Sequence, residues 1–522
     1  MVKCSLLTAA SIHSDGTANM TGALPLKPSF NIPATVSSFI QGRFIQAEAA
    51  HQIAVVNPAT ELPISLLHEA DAAEVDRAVN SARASFESGV WSRLSTDKRQ
   101  VCLLRVRDLI LHHADELAYL ECCNTGIPLS QLRRLHIPGA ANHFQFYAEL
   151  ANQLKGELHQ HRSSYQLLVS REPVGVAALI SPWNGPVNMS CAKLAAALAF
   201  GNSCVLKPSE YTPLAFTRLM DIFCEAGLPD GVVNMVNGRG PVTGSALVEH
   251  PQVDLVSFTG GSSSGPLVNA SAARGLKRTT MELGGKSASI VLESADLEVA
   301  LDGALAGNFM TNGQQCLAGS RILVQRSVAR EFREKFVARA RAIRIGDPLD
   351  PKTELGPLAY QAHMQKVLSY VDIARTDGAT LLAGGQRAAH MARGWYVEPT
   401  VVQAPSNLAR ICQEEVFGPF ATLLEFDTLS DALEIANQSQ FGLVAYLWSN
   451  DMAAVMHATR ELRAGTVWVN TTLVGDPRAP FGGVKQSGTG REGGVGSVEF
   501  YTELKSVVIP NGAAPIPRLG VH

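Results

Sequence analysis

No apolar run in this chain approaches the roughly 18 consecutive residues that cross a bilayer, so a membrane-spanning protein is not expected. Neither sign of charge dominates. There are 44 Lys and Arg against 47 Asp and Glu, a net charge of −3 that offers no basic footprint for nucleic acid. Cysteine is sparse: nine residues, an odd number, scattered singly apart from Cys122-Cys123. Their spacing suggests neither a zinc site nor a disulfide framework. No His/Cys/Asp cluster has ligand spacing either, so no metal is expected. Such usage fits a reducing, cytoplasmic compartment. Leu6-Leu7 is too short for the core of a secretion signal, and Lys3 is the only basic residue before Lys27, which argues against an Arg-rich leader. Internal repeats and low-complexity blocks are also missing.

What is present reads as a globular enzyme. The 522 residues suffice for two or three domains, and 46% hydrophobic with 17% charged residues is ordinary for such a chain. Residues 1–37 read as a flexible tail rich in Ser, Thr, Ala, Gly and Pro. Folded structure is expected from about Ser38. Val75, Val79, Ala82 and Phe86 recur at helical spacing behind Asp71, a natural N-cap. Asp97–Leu120 repeats the pattern, and a further helix is expected over Ala140–Leu154. Ser163–Arg171 reads as an exposed strand that needs a partner.

From Val174 the pattern becomes strand-helix-strand. The segments 174–180, 203–207, 231–236 and 253–258 are short apolar strands separated by helical stretches. That alternation predicts an α/β fold with a parallel sheet, whose ligands bind outside the carboxyl ends of the strands. Polar turns do follow three of these strands: Ser181-Pro182-Trp183-Asn184-Gly185, Lys207-Pro208-Ser209-Glu210 and Thr259-Gly260-Gly261-Ser262-Ser263-Ser264-Gly265. None is the GxGxxG dinucleotide fingerprint. The third offers free N–H groups at a helix start, suited to an anion, and a carboxylate at Glu210 suits the hydroxyls of a ribose.

Two residues carry reactive chemistry. Glu282 ends an apolar strand, before Leu283-Gly284-Gly285-Lys286. Cys316 lies 34 positions later in Asn312-Gly313-Gln314-Gln315-Cys316. A thiolate is a strong nucleophile, and a nearby carboxylate can take a proton from a thiol or from water. The small polar surroundings of Cys316 suggest a loop whose N–H groups receive an oxyanion. Cys102, Cys191, Cys204 and Cys224 are instead expected as filler in apolar helices and strands.

MELGGKS followed by GQQC resembles the paired signatures of the aldehyde dehydrogenase superfamily, and further motifs match in order over Ser38–Ile509. The resemblance implies that Cys316 is the nucleophile, Glu282 the general base and Asn184 the oxyanion donor, with Lys193 and Glu492 in the proton path. It implies NAD as cofactor, held by Ile180, Ser181, Pro182, Trp183, Lys207, Ser209, Glu210, Gly240, Thr259, Gly260, Gly261, Ser262, Gly265, Leu283, Lys366, Glu415 and Phe417. A serine is common in the family where Gly261 stands, so one hydroxyl contact is missing here. The implied division is an NAD-binding domain over 38–152 and 174–284, a catalytic domain over 285–485, and an oligomerisation arm over 153–173 and 486–522. A homodimer or homotetramer is expected.

The implied reaction oxidises an aldehyde to a carboxylic acid through a thiohemiacetal and a thioester on Cys316. Gly185, Met189, Gly475 and Phe481 are expected to line the substrate tunnel. Relatives selective for small aldehydes often carry aromatic rings where Gly185 and Gly475 stand, so a bulky aromatic or long-chain aldehyde is expected. Two alternatives stay open: a coenzyme A-acylating dehydrogenase, and a non-catalytic protein on the same fold.

Overall fold

The computed structural model describes residues 30–46, 51–160, 165–513 and 516–520. Most of the expected N-terminal tail lies outside these residues.

Two parallel sheets organise an α/β fold. The first places Arg278–Glu282, Leu255–Thr259, Val176–Ile180, Ser203–Lys207 and Val233–Met235 side by side, all parallel. Their middles are fully buried on both faces, which is why they read as continuous apolar runs without alternation. The chain leaves Val176–Ile180 towards Ser203–Lys207 and later returns to its other side with Leu255–Thr259. A crevice therefore opens at the carboxyl end of this central strand, where the direction of winding reverses. Antiparallel strands close both edges: Gly488–Thr489 against Arg278–Glu282, and Phe39–Ile40 against Val233–Met235. Residues 486–501 thus pack on the first sheet, and of the C-terminal segment Thr502–Pro510 runs in the arm.

The second sheet runs Thr380–Ala383, Thr400–Gln403, Phe420–Phe426, Arg321–Gln325, Ala288–Val291, Val444–Trp448, Thr466–Val469. It is parallel except for the first of these edges. A third, antiparallel sheet joins Thr502–Pro510, Tyr165–Pro173 and Glu157–Gln160.

Local chemistry sets the helix ends. Asp71 caps Ala72–Ser88 by accepting from the Glu74 amide at 2.8 Å. The helical pattern expected over Asp97–Leu120 divides into Thr96–His112 and Ala114–Thr125, because His113 leaves helical geometry at φ −96°, ψ 19°. A hairpin of Gln52–Asn57 and Leu62–His68, which the sequence reading did not anticipate, covers one flank. Its cue was the Asn57-Pro58 turn, where the Asn57 side chain accepts from the Ala59 amide.

Candidate active site

Three polypeptide ends meet at one place. The first is the turn after Val176–Ile180. Ser181 hydrogen-bonds its amide to the Lys207 carbonyl at 3.2 Å and accepts the Ser190 hydroxyl at 2.7 Å. Asn184 is buried, and its Nδ2 donates to the Gln314 carbonyl at 2.8 Å, two residues before Cys316. An amide has two N–H donors, so one remains for another acceptor.

The second end is Glu282, last residue of its strand. It is 4% exposed, and neither carboxylate oxygen has a hydrogen-bond partner among the described residues. Burial, with the nearby charge of Glu492 next, pushes its carboxyl well above the usual carboxylate range; Lys193 and Arg491 act against that. Gly482 passes directly over it: a Cβ at that position would sit 2.6 Å from Glu282 Oε1. Beyond Glu282, Leu283 N–H donates to Ser487 O, Gly284 N–H to Ser262 Oγ and Gly285 N–H to Glu415 Oε1, at 3.0, 3.0 and 2.9 Å.

The third is the Cys316 loop. Cys316 precedes the strand Arg321–Gln325 instead of following a strand, so it projects from the amino edge of the second sheet towards the carboxyl edge of the first. A Cβ at Gly285 would lie 2.7 Å from the Cys316 carbonyl, which shows how closely the two ends approach. The loop is held in a rarely used shape. Thr311, Asn312 and Gly313 all have left-handed backbone, with φ of 54°, 58° and 70°. Asn312 clamps it: Nδ2 donates to Gly126 O and Pro357 O at 2.9 Å each, and Oδ1 accepts from Gly356 N–H at 2.7 Å. Cys316 is half-buried as a residue, and burial of its thiol, followed by the charges of Glu415 and Glu282, pushes the thiol up to about 12. Its own backbone N–H and that of Leu317 pull the other way.

Buried Lys193 and part-exposed Glu492 come together as an ion pair. Lys193 Nζ also donates to Ser257 Oγ at 2.9 Å, and Ser257 donates to Glu492 Oε1 at 3.1 Å while accepting from Thr280 Oγ1 at 3.1 Å. Sequence reasoning missed Ser257 and Thr280, since a serine or threonine inside an apolar strand is common and nothing marked them; Asn312 and Gly482 were read within polar and glycine-rich loops, without a role of their own.

Ile180 and Thr259 end adjacent strands. Lys207 is buried, with Nζ donating to Pro208 O and Gly238 O at 2.7 Å each, and burial pushes it down to about 8. Ser209 Oγ lies 3.5 Å from Glu210 Oε2. Trp183 meets Phe417 edge to face, with centroids 5.3 Å apart, and Lys366 Nζ donates to Glu415 O at 3.1 Å. Helix Gly265–Arg274 begins without a side-chain cap, and the Gly261 carbonyl accepts from Gly265 N–H at 3.1 Å. Side chains at Gly240 and Gly261 would meet open space, with nothing nearer than Ser263 Oγ at 3.9 Å. An uncapped helix start, two open glycines and a carboxylate past the next strand fit a dinucleotide.

At the expected tunnel, Gly185 starts helix Pro186–Ala199, and a Cβ on it would lie 3.6 Å from Met189 Cε and 3.7 Å from His136 Nδ1. Gly475 faces open space. Phe481 exchanges backbone hydrogen bonds with Glu492 at 2.6 and 2.8 Å. Cys191 and Cys204 are buried as expected, but Cys224 is a correction: it is exposed on the outer side of Leu214–Ala226. An apolar helix stretch has two faces, and composition alone does not say which one a residue occupies.

The Aldehyde dehydrogenase family model matches residues 44–507. A betaine aldehyde dehydrogenase of Cereibacter sphaeroides is 42% identical over 482 residues, covering 92% of this chain and 98% of that one. The solved NAD+ complex of an aldehyde dehydrogenase from Bacillus cereus is similar at TM-score 0.90 and 39% identity, over 92% of this chain and 97% of that one. An indole-3-acetaldehyde dehydrogenase of P. syringae, solved with NAD+ and IAA, matches at TM-score 0.90 and 41% identity, over 92% and 97% of the two chains. With a matching model across nearly the whole chain and relatives aligned over almost their full length, this protein belongs to the aldehyde dehydrogenase family.

Proposed function

We propose that this protein oxidises a bulky aldehyde to its carboxylic acid with NAD, through a covalent bond to Cys316. The observation that carries the proposal is the pairing of the half-buried residue Cys316 with a buried carboxylate whose two oxygens have no hydrogen-bond partner among the described residues. A carboxylate left unbonded in a dry site is costly to fold and suited to accepting a proton.

The resting thiol is protonated at neutral pH, since burial pushes it to about 12, so a base must take its proton as the sulfur attacks. Glu282 is that base. The carbon–sulfur bond turns the carbonyl oxygen into an oxyanion, received by the free N–H of Asn184 Nδ2 and by the Cys316 backbone N–H. NAD, when bound, supplies the hydride acceptor. Ser181, Trp183, Glu210, the Thr259–Gly265 turn, Lys366, Glu415 and Phe417 would hold it. After oxidation Glu282 takes a proton from water so that hydroxide equivalent adds to the thioester carbon. Cys316 leaves as thiolate and the acid is released. Lys193, Ser257, Thr280 and Glu492 form a hydrogen-bonded chain whose charges act on Glu282 without a direct bond to it, so a bridging water would pass the proton from Glu282 to that chain.

Glu210 supports NAD over NADP, because a 2′-phosphate would bring like charge against its carboxylate. The open position at Gly475, the absence of a side chain at Gly185, and relatives named for betaine aldehyde and indole-3-acetaldehyde support a substrate larger than acetaldehyde. The exposed face of Thr502–Pro510 supports a homo-oligomer, and a cytoplasmic setting agrees with the unpaired cysteines. The test is NADH formation from a panel of aldehydes, with and without coenzyme A and with NAD or NADP. Acid formation from aromatic or long-chain aldehydes, independent of coenzyme A and stronger with NAD, is the expected result. Acyl-coenzyme A as product, or no turnover at all, would overturn it.

A further inference from the structure

The cofactor crevice holds a strained residue next to the Cys316 loop. Phe417 has left-handed backbone, φ 64°, although its side chain is bulky. Such a conformation persists only where the surroundings fix it. His363, in the first turn of helix Gln361–Thr376, is 4% exposed and donates from Nε2 to the Phe417 carbonyl at 2.6 Å. A carbonyl oxygen only accepts, so the ring carries its proton on Nε2. Burial pushes the imidazole down to about 4, so it is neutral at working pH and this is its one N–H. One helix turn on, Val367 supports the next peptide: a Cβ on Gly418 would sit 2.7 Å from Val367 Cγ2. Trp183 stands edge-on to both rings, with centroids 5.0 Å from His363 and 5.3 Å from Phe417. Tyr360 continues this aromatic wall, 5.4 Å from Trp183 and stacked at 3.9 Å on Tyr211, the residue after Glu210. The Phe417 end of the wall adjoins the reacting sulfur. A Cβ at Gly313 would overlap the Gly418 carbonyl. Glu415, two residues before Phe417, accepts from Gly285 N–H and is the charge that acts most on the Cys316 thiol.

We infer that His363 is a positioning residue for hydride transfer: its Nε2–H holds the Phe417 peptide in its left-handed shape, and thereby holds the Phe417 ring as a fixed seat for the nicotinamide. The inference rests on the reading above that NAD binds along this crevice, and deepens it. The ring that accepts hydride must reach the carbon bonded to Cys316, and Phe417 belongs to the end of the wall that adjoins the Cys316 loop. Without the donor the peptide is free to relax towards negative φ, where a phenylalanine ordinarily sits, and the ring swings with it. A displaced seat leaves the adenosine end untouched and misplaces only the reacting end, where small errors of position cost more rate than affinity.

The experiment compares the unmodified enzyme with His363→Leu and His363→Gln. Calorimetric titration of the cofactor-free enzyme gives Kd for NAD and for ADP-ribose, which lacks the nicotinamide. Rapid mixing gives the rate of NADH formation in the first turnover, with the best aldehyde of the panel and with its formyl-deuterated form. In His363→Leu the ADP-ribose Kd should stay within about twofold and the NAD Kd should rise a few-fold, while first-turnover NADH formation slows by about 10–100-fold, with a deuterium isotope effect on that phase. His363→Gln, which keeps an N–H donor, should recover most of the rate. Rates are expressed per ADP-ribose site, so loss of folded enzyme cancels. An unchanged first turnover in His363→Leu would overturn the inference. So would a slowed phase without an isotope effect, or equal loss of rate in both variants. An ADP-ribose Kd raised as much as that of NAD would also overturn it, because the damage would then extend along the whole aromatic wall. Each of these would leave aldehyde oxidation with NAD standing. Failure of the unmodified enzyme to bind NAD or to form NADH would overturn that reading and this inference with it.

Discussion

At the scale of single residues, the chemistry depends on two acids in unfavourable surroundings. The thiol of Cys316 is pushed to about 12, so below that value its thiolate fraction rises about tenfold per pH unit. Inactivation of the cofactor-free enzyme by iodoacetamide should therefore keep accelerating from pH 7 to 9; a plateau near neutrality would mean the thiol is already ionised. Activity, not total labelling, is the proper readout, because Cys224 is also exposed. Cys316→Ala should abolish dehydrogenation and leave NAD binding largely intact. Glu282 is raised in the same sense by burial and by Glu492. As a neutral acid it cannot accept a proton, so thioester hydrolysis should rise with pH through its ionisation, at a higher pH than an ordinary carboxylate. Glu282→Gln should remove that rise and slow hydrolysis by about 10²–10⁴-fold. Rapid mixing would then reveal a burst of NADH before a slow steady state. A variant with neither phase altered would remove Glu282 from the mechanism.

At the scale of elements, the loop before Cys316 and the start of Pro186–Ala199 set the geometry. Gly313 has φ +70°, and a Cβ there would overlap the Gly418 carbonyl, which is backbone and has nowhere to go. Gly313→Ala should cost about 2–4 kcal/mol of stability. It should also cost most of the activity, read by thermal unfolding and by kcat together. A fully active, equally stable variant would show that the strained loop is dispensable. Gly185 is a different case: its Cβ position has ordinary contacts at 3.6 Å or more, so a larger side chain can be accommodated. Gly185→Phe should fill the wall and shift kcat/KM towards acetaldehyde and away from benzaldehyde. An unchanged ratio would mean that Met189 already closes the space.

Across the whole molecule, the three-stranded arm presents an exposed apolar edge strand. Leu504, Val507, Val508 and Ile509 are 63%, 39%, 60% and 44% exposed on an edge strand. Apolar edges of this kind need a partner. Val508→Lys should lower the oligomeric state in sedimentation at micromolar concentration, with activity falling in step. An unchanged sedimentation coefficient would place the interface elsewhere.

Much of this protein was legible in its linear pattern. The four parallel strands from 174 to 258 and the polar turns behind them are local features, written in short apolar runs that end in Gly, Ser, Pro and Asn. Asp71 announces its helix because a cap is made by neighbours in the chain. The adjacency of Glu282 and Cys316 is different. No local preference specifies it; it follows from laying the amino edge of one sheet against the carboxyl edge of another. The same packing decided that Gly482 must lie over Glu282 and that Ser257 must bridge Lys193 to Glu492. It also decided that Cys224 faces outward while Cys191 does not. His363 looked like an ordinary helix residue, and Phe417 was marked by its motif alone. What makes them a pair belongs to the folded chain: only there does an imidazole N–H reach a carbonyl 54 positions away and hold a backbone shape that no local preference favours.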